Sequence, residues 1–240
     1  MKKVLVIIPT YNESENILKI IPDVLSKTTP KYEFNVLVVD DNSPDGTAQM
    51  VEDMKNPNVF LLRREKKMGL GTAYIAGFKF SIENKFDYVY EMDADFSHDP
   101  KYLPEFLTKM EEGYDLVVGS RYINGVSVVN WPIRRLFLSY FANIYTRIIT
   151  GLKVHDTTAG FACYDVMKLA QMNLDKVKSN GYSFQIEMKF KYYKKKFRIA
   201  EIPILFIDRR AGHSKMSNKV VYEAFFVVWK LKIKSIFGKL

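Results

Sequence analysis

Short apolar runs alternate with longer amphipathic segments through the first half of the chain. The runs lie at residues 4–8, 36–39, 59–62, 88–92 and 116–118, and their mainly apolar character, interrupted only by Glu91, is typical of strands that are covered on both faces. Segments with helical spacing follow at 14–25, 47–54, about 71–83 and 100–112. Strands and helices that alternate in this way predict an α/β protein with a mostly parallel, doubly wound sheet.

The second half of the chain has a different pattern. Apolar positions recur at helical spacing through 131–152, where aromatic residues stand among arginines. This segment is either an ordinary core helix or a helix that lies in a membrane interface with its arginines near the headgroups. A helix at 184–195, a strand at 198–207 and a helix at 220–237 are predicted next. The last helix is basic and amphipathic, and it either docks on an anionic surface or caps the domain with a solvated lysine face.

Composition narrows the class of protein. The chain has 240 residues, 48% of them hydrophobic, and a formal net charge of +9, which suits one large domain with an anionic partner such as a nucleotide, a nucleic acid or a phosphorylated lipid. Its single cysteine, Cys163, excludes an internal disulfide and a cysteine-rich zinc site. No apolar run approaches the roughly 18 residues that a transmembrane helix needs.

Acidic residues follow two of the predicted strands. Asp93 and Asp95 come directly after the run at 88–92, and Asp40 ends the run at 36–39. The carboxyl ends of parallel strands meet at one edge of a sheet, where ligands bind. Two neighbouring carboxylates repel unless a cation lies between them, and oxygen ligands favour Mg²⁺ or Mn²⁺ bound to a diphosphate. The alternatives are a solvated acidic turn before a helix at 93–99 and a turn-forming acidic pair at Asp40-Asp41.

Two further segments carry weaker signals. Gly69-Leu70-Gly71 precedes a helix and would let backbone amides approach an anion, but the third glycine of a dinucleotide fingerprint is missing, which argues against an oxidoreductase. Arg209 and Lys215 lie in a basic loop after the last strand, where they would clamp a phosphate or simply form a surface turn. The three histidines have no metal-ligand spacing.

Taken together, the motifs resemble family 2 glycosyltransferases and, within them, the polyprenol-phosphate (dolichyl-phosphate) mannose synthases of the short form without a transmembrane region. The resemblance runs from about residue 4 to 216 and rests on the ordered set of motifs. In chain order these are Pro9-Thr10-Tyr11-Asn12-Glu13, Asp40-Asp41-Asn42-Ser43, Gly69-Leu70-Gly71, Asp93-Ala94-Asp95, Gly119-Ser120-Arg121, Gly181-Tyr182-Ser183-Phe184-Gln185, Glu201-Ile202-Pro203 and Ser214-Lys215-Met216.

The resemblance implies the GT-A nucleotide-diphospho-sugar transferase fold, with a catalytic domain at 1–217 and a basic amphipathic helix at 218–240. It implies transfer of mannose from GDP-mannose to a polyprenyl monophosphate with inversion, assisted by Mg²⁺ or Mn²⁺. The implied donor-binding residues are Pro9, Tyr11, Glu13, Val38, Asp40, Asp93, Ala94, Asp95, Arg121, Arg209 and Lys215. Asp93 and Asp95 would hold the metal, and Asp93, Asp95, Arg209 and Lys215 would be catalytic. Arg121, Arg134 and Arg135 would bind the acceptor phosphate.

Two positions depart from the family pattern. Some members carry Gln as a metal ligand where Ser97 stands, and members often carry a basic residue where Ala162 stands.

The expected partners are the two substrates, a membrane surface that the protein binds peripherally from the cytoplasmic side, and a small membrane subunit; no nucleic acid is expected. Transfer of glucose from UDP-glucose to the same lipid is the alternative reaction, and a basic membrane-binding protein without turnover is the alternative class.

Overall fold

The computed structural model describes the backbone of residues 1–208 and 218–238 and the side chains of 1–208 and 225–238. The strands are β1 (Lys2–Thr10), β2 (Tyr32–Asp40), β3 (Val59–Arg63), β4 (Tyr88–Glu91), β5 (Leu116–Ser120), β6 (Val128–Val129), β7 (Ala162–Asp165), β8 (Ile199–Pro203) and β9 (Phe206–Ile207). The helices are α1 (Ser14–Leu25), α2 (Thr47–Asp53), α3 (Leu70–Glu83), α4 (Leu103–Glu111), α5 (Ile133–Thr150), α6 (Val166–Leu169), α7 (Gly181–Lys194) and α8 (Asn218–Ile236).

A seven-stranded sheet in the order β3-β2-β1-β4-β7-β5-β8 forms the centre of the molecule. The apolar run of β1 explains its position, because successive side chains point to opposite faces of a strand. Val4, Val6 and Ile8 pack with α1 and α4 on one face, whereas Leu5 and Ile7 pack with α3 and α7 on the other. The prediction of a mostly parallel, doubly wound α/β sheet is confirmed.

Three strand assignments differ from the predictions, and one of them is the two-residue β6, which was not predicted. β7 was not predicted, and it runs antiparallel between β4 and β5; its sequence Ala-Cys-Tyr-Asp is too short and too mixed to show a period of two. The single strand predicted at 198–207 is in fact two strands. β8 ends at Pro203 and pairs with β5, while β9 pairs with β6 in a separate two-stranded sheet, because proline interrupts a hydrogen-bonded ladder.

In helix α5 the polar side is buried and the apolar side is exposed, which is the reverse of a core helix. Its buried residues are all polar: Ser139, Asn143, Thr146 and Thr150. Its large exposed apolar residues are Ile133, Phe137, Leu138, Tyr140, Phe141 and Ile148. A helix whose polar side faces the protein does not fit the core-helix interpretation of this segment, since a core helix buries its apolar stripe.

Helix α8 packs against α7 and α5. Val228 and Leu231 are buried with Ile186 and Phe190 of α7, and Phe225 stacks on Tyr145 of α5 with ring centroids 5.0 Å apart. The opposite side of α8 is exposed and apolar; it carries Phe226, Trp229, Ile233, Ile236 and Phe237. Within the described residues, no helix has the length and apolar character that crossing a membrane requires. The division of the chain at residue 217 stays a prediction.

Candidate active site

A cavity of about 360 Å³ opens where the ends of β4, β5 and β8 meet the start of β7. Its walls come from several elements because a parallel sheet collects the loops at its carboxyl edge on one side. The lining residues include Leu70, Asp93, Asp95, Ser97, His98, Gly119, Arg121, Arg135, Thr158, Gly160, Tyr182, Gln185, Phe206 and Asp208. Two carboxylates and two guanidinium groups from the predicted site therefore share one cavity.

The acidic turn after β4 holds Asp95 by local hydrogen bonds. Phe96 takes the left-handed conformation with φ of +59°, and the Ser97 backbone N–H and hydroxyl both donate to Asp95 Oδ1, at 3.1 and 2.6 Å. Asp99 caps the 3₁₀ turn Pro100–Tyr102 by accepting from the Lys101 N–H. Asp99 starts the helical segment, as the turn interpretation predicts, while Asp93 and Asp95 line the cavity; metal binding by these two carboxylates stays a prediction.

Asp93 is held by two residues that sequence reasoning did not select. The Tyr74 hydroxyl donates to Asp93 Oδ1 at 3.3 Å, and the Asp93 backbone N–H donates to His98 Nδ1 at 3.0 Å. Burial lowers the pKa of His98, and because Nδ1 accepts a hydrogen bond, the neutral ring carries its proton on Nε2. His98 stacks on Phe161 at 4.9 Å, which fixes the ring beside the cavity.

The donor set at Asp93 and Asp95 suits a divalent metal that is shared with a substrate. Mg²⁺ is usually bound through one or two carboxylates, with substrate phosphates and water completing its shell. Within the described residues, no group of three His, Cys, Asp or Glu side chains forms a closed protein site. Ser97, which stands where some family members have a metal ligand, donates its hydroxyl hydrogen to Asp95 and so orients that carboxylate.

Arg121 is locked into a buried ion pair. Its Nε and Nη2 donate to the two oxygens of Asp156, both at 2.6 Å, and Nη2 also donates to Thr158 Oγ1 at 2.9 Å. Burial opposes both charges, but the ion pair outweighs it, so the pKa of Arg121 is raised and that of Asp156 is lowered. With Nε and Nη2 occupied, Nη1 is the nitrogen that is left for a ligand in the cavity.

Of the two neighbouring arginines predicted to bind the acceptor phosphate, the structure brings one to the cavity. Arg135 donates from Nη1 to Asp208 Oδ2 at 2.7 Å, and its guanidinium lies 4.0 Å from the centroid of the Trp131 ring. Arg134 is exposed to solvent and lies outside the lining of the cavity. The structure therefore favours Arg135 for any contact inside this cavity.

The residues predicted to bind the nucleoside lie at the neighbouring strand ends. Asp40 and Thr10 are partners in the register of β1 and β2, and the Thr10 hydroxyl donates to Asp40 Oδ1 at 2.8 Å. Asp40 also accepts from the Ser43 N–H at 2.9 Å, so the turn interpretation describes its contacts. Val38 is fully buried, whereas Tyr11 is exposed. Nucleoside binding by these residues, with Pro9 and Glu13, stays a prediction.

A buried polar network lies behind the cavity, and sequence reasoning missed it. Gln185 donates to Glu91 Oε2 at 2.6 Å and accepts from Lys189 Nζ at 3.1 Å, while Lys189 also donates to the Ala159 carbonyl at 2.7 Å. Burial raises the pKa of Glu91 to about 7 and lowers that of Lys189 to about 8. Ala162, where family members often carry a basic residue, is fully buried in β7 opposite Glu91. The buried cation in this network is instead Lys189 of α7.

Two further predictions concern the glycines before α3 and the basic loop after the last strand. Gly71 allows a close backbone approach, but to the loop before α7: a Cβ at this position would lie 2.6 Å from the Ser179 carbonyl oxygen. Arg209 and Lys215 lie outside the described residues, and their roles stay predictions.

Sequence comparisons with known proteins identify a family and two similar proteins. The sequence model of the family described as "Glycosyl transferase family 2" matches residues 5–172. The chain is 45% identical over 224 residues to the undecaprenyl-phosphate mannosyltransferase of Micrococcus luteus, covering 92% of this chain and 90% of that protein. It is 43% identical over 230 residues to the polyprenol monophosphomannose synthase of Mycolicibacterium smegmatis, covering 95% and 86%.

Solved structures with low sequence identity share the fold. Glucosyl-3-phosphoglycerate synthase from Mycobacterium tuberculosis, in complex with Mn²⁺, uridine diphosphate and phosphoglyceric acid, superposes with a TM-score of 0.72 at 15% identity, covering 96% of this chain and 78% of that chain. The same enzyme with phosphoglyceric acid gives a TM-score of 0.70 at 16% identity, covering 96% and 80%. Together with the family match, this likeness confirms the predicted GT-A fold.

Proposed function

The chain belongs to glycosyl transferase family 2, and from this premise we propose that it transfers mannose from GDP-mannose to a polyprenyl monophosphate with inversion. Family membership makes the chain a glycosyltransferase, as the motifs predicted, and it argues against a membrane binder without turnover. The names of the two relatives, an undecaprenyl-phosphate mannosyltransferase and a polyprenol monophosphomannose synthase, support the choice of sugar and of lipid acceptor.

The observation that carries the proposal is the make-up of the cavity. Asp93 and Asp95 stand with Arg121 and Arg135 around one space, and Arg135 belongs to α5, whose outer side is apolar. The carboxylates suit a metal-bound diphosphate, the guanidinium groups suit a second phosphate, and the apolar helix suits a prenyl chain. One cavity thus matches a sugar-nucleotide donor together with a phosphorylated lipid acceptor.

The reaction needs little from a general base. A phosphate monoester has a second pKa of about 6, so an acceptor oxygen is already ionised near neutral pH. That oxygen attacks the anomeric carbon from the face opposite the diphosphate; a new carbon–oxygen bond forms while the bond to GDP breaks, and the electron pair leaves with the diphosphate. A divalent metal at Asp93 and Asp95 would stabilise that developing charge. Arg121 and Arg135 would hold the acceptor in line.

The proposed setting is the cytoplasmic face of a membrane, reached peripherally. The acceptor cannot leave the bilayer cheaply, because exposing each CH₂ costs about 0.8 kcal/mol, so the enzyme has to come to the surface. The outer sides of α5 and α8 provide apolar surface for this purpose. A small membrane subunit is a further proposed partner that would cover the same surface.

The proposal is tested by transfer of label into the organic phase. The protein is incubated with a polyprenyl phosphate, Mg²⁺ or Mn²⁺, and either labelled GDP-mannose or labelled UDP-glucose. Lipid labelling from GDP-mannose alone is expected; labelling from UDP-glucose alone would establish the alternative reaction. Asp95→Asn keeps the size of the side chain but weakens metal binding, and a loss of at least about 100-fold in rate is expected. Near-parental turnover in Asp95→Asn would remove the metal assignment.

A further inference from the structure

Two buried hydrogen-bond donors beside the cavity have no partner in the described part of the chain. They are Trp131 Nε1 and Arg135 Nε, which lie within four residues of each other at the start of α5. Buried polar groups are nearly always hydrogen-bonded, and each exception calls for an explanation, such as a ligand. Tyr192 has the third such atom, its hydroxyl, but this side chain is fully buried in the apolar cluster between α7 and the sheet.

The hydrogen-bond donors around Trp131 favour binding of an anion. Its ring is 4.0 Å from the Arg135 guanidinium carbon and 5.2 Å from that of Arg121. Each arginine already has one carboxylate partner, Asp208 or Asp156, so what remains at this spot is a set of N–H groups. Indole and guanidinium groups donate hydrogen bonds and accept none. A phosphate, which offers oxygen acceptors on every side, complements such a set.

The position of these donors favours the acceptor phosphate over the donor diphosphate. Trp131 and Arg135 flank Ile133, which is 71% exposed at the start of the outward apolar side of α5. A prenyl chain along that side would bring its phosphate to the two N–H groups. Asp93 and Asp95, the carboxylates suited to a metal-bound diphosphate, come from β4 instead.

We propose that the indole N–H of Trp131 donates a hydrogen bond to the phosphate monoester of the lipid acceptor, next to the Nε–H of Arg135. This inference rests on the proposed function for the identity of the acceptor. It assigns Trp131 as a phosphate-binding residue in addition to the arginines. The stacked ring also holds Arg135 in place, so the indole has two separable roles: its face positions a cation and its edge binds the ligand.

The direct test follows the two indole N–H signals of the ¹⁵N-labelled protein, which contains Trp131 and Trp229. Trp131→Phe and Trp229→Phe assign the signals. Farnesyl phosphate should shift the Trp131 signal, and farnesol, which lacks the phosphate, should not. A separate titration with GDP and Mg²⁺ tests whether binding at the donor site shifts the Trp131 signal. The inference is overturned if saturating farnesyl phosphate leaves the Trp131 signal in place, or if GDP with Mg²⁺ alone gives the same shift.

Kinetics separate ligand binding from a structural role. Trp131→Phe keeps an aromatic face for Arg135 but removes the N–H together with the pyrrole part of the indole, so the KM for the lipid phosphate should rise by about tenfold or more while that for GDP-mannose stays within about twofold. The matched control is Tyr192→Phe, which removes a buried hydroxyl that has no partner among the described residues and lies outside the cavity lining; it should change neither value. The melting temperature of ligand-free Trp131→Phe should fall only slightly, through the packing that the smaller ring loses, because the deleted donor has no partner among the described residues.

The outcomes distinguish this inference from the proposed function. If Trp131→Phe loses stability and affinity for both substrates together, the indole is only structural and the inference fails. The titration with farnesyl phosphate does not require turnover. A parental protein whose Trp131 signal shifts but which transfers no mannose would overturn the proposed function and leave the inference standing.

Discussion

Lys189 and Glu91 are ionisable groups in the protein interior, both fully buried. They are bridged by the Gln185 side chain, and Lys189 also fixes the Ala159 carbonyl in the wall of the cavity. Burying either charge alone would be expensive, and the opposite shifts in their pKa values express that cost. The two groups therefore compensate each other behind Asp93, at a place where an apolar core would be cheaper.

We expect Lys189→Met to destabilise the protein by about 3 kcal/mol, because it leaves Glu91 buried without its cation. Glu91→Gln/Lys189→Met should recover a large part of that loss, since no uncompensated charge remains. Lys194→Met, on the exposed side of the same helix, should stay within about 0.5 kcal/mol of the parent. Urea unfolding of these three variants and of Glu91→Gln alone measures these differences. Losses that simply add in the double variant would show that the two groups do not interact.

At the scale of elements, α5 joins the outside of the molecule to Arg121. Asn143 on its buried polar side accepts from the Thr157 N–H and hydroxyl, both at 2.7 Å, and from the Thr158 N–H at 3.3 Å. Glu201 of β8 holds the preceding Asp156 N–H at 2.9 Å. The segment 155–158 is thus clamped from two sides, and its Asp156 carboxylate orients the Arg121 guanidinium.

Asn143→Ala should lower the free energy of unfolding by about 2 kcal/mol, because three buried donors lose their acceptor. It should also raise the KM for the lipid phosphate more than that for GDP-mannose, since Arg121 loses support. Thr150→Val is the matched control: its hydroxyl is also buried on this side of α5 but bonds Thr146 and Leu152, not residues 155–158. If both variants change the two KM values alike, α5 contributes stability alone and does not position Arg121.

How far the sequence predicts the elements depends on what surrounds each of them. Buried parallel strands such as β1 were predicted from their apolar runs, and α1 was predicted at its observed bounds. For α5 the spacing predicts a helix, but periodicity does not tell which side faces the protein, because a bilayer and a core are both apolar surroundings. β7 is too short for any periodicity to show.

The candidate site divides in the same way. Asp93 and Asp95 are recognisable because strand ends of a parallel sheet are ligand positions. His98, Trp131, Asn143 and Lys189 gain their roles from partners that only the fold brings near. Lys189 donates to the Ala159 carbonyl 30 residues away, and the Trp131 indole N–H stands out because it has no acceptor among the described residues. A pattern within one segment cannot contain that information.

At the scale of the whole molecule, the net charge and the exposed apolar surface both favour an anionic membrane as the binding partner. The net charge is +9, and the exposed apolar sides of α5 and α8 adjoin at the Tyr145–Phe225 contact. Large contiguous apolar surfaces on soluble proteins mark interaction sites. Lys230 and Lys234 are exposed on α8, Lys232 is half-buried, and Lys239 lies outside the described residues. On this helix the outward side is apolar with lysines beside it, which suits a bilayer with anionic headgroups.

We therefore predict that the outward sides of α5 and α8 dock the enzyme on anionic membranes. Replacing Phe226, Trp229 and Ile233 with Ser should weaken binding to anionic vesicles, measured by sedimentation, by about 4.5 kcal/mol or more at any salt concentration, because each large apolar side chain contributes about 1.5 kcal/mol or more on burial. Neutralising Lys230 and Lys234 should weaken it by about 1 kcal/mol per lysine, and mainly at low salt.

Apolar exposure elsewhere on the molecule provides the control for this prediction. Leu18 on α1 is 45% exposed, so Leu18→Gln removes apolar surface on the face of the sheet opposite α7 and α8 and should leave sedimentation unchanged. Continued transfer to a short-chain soluble acceptor would show that the α8 variants are folded. If the α8 variants sediment as the parent does, α8 is a structural cap. If they lose binding only when a membrane subunit is present in the vesicles, that subunit covers the apolar surface in place of lipid.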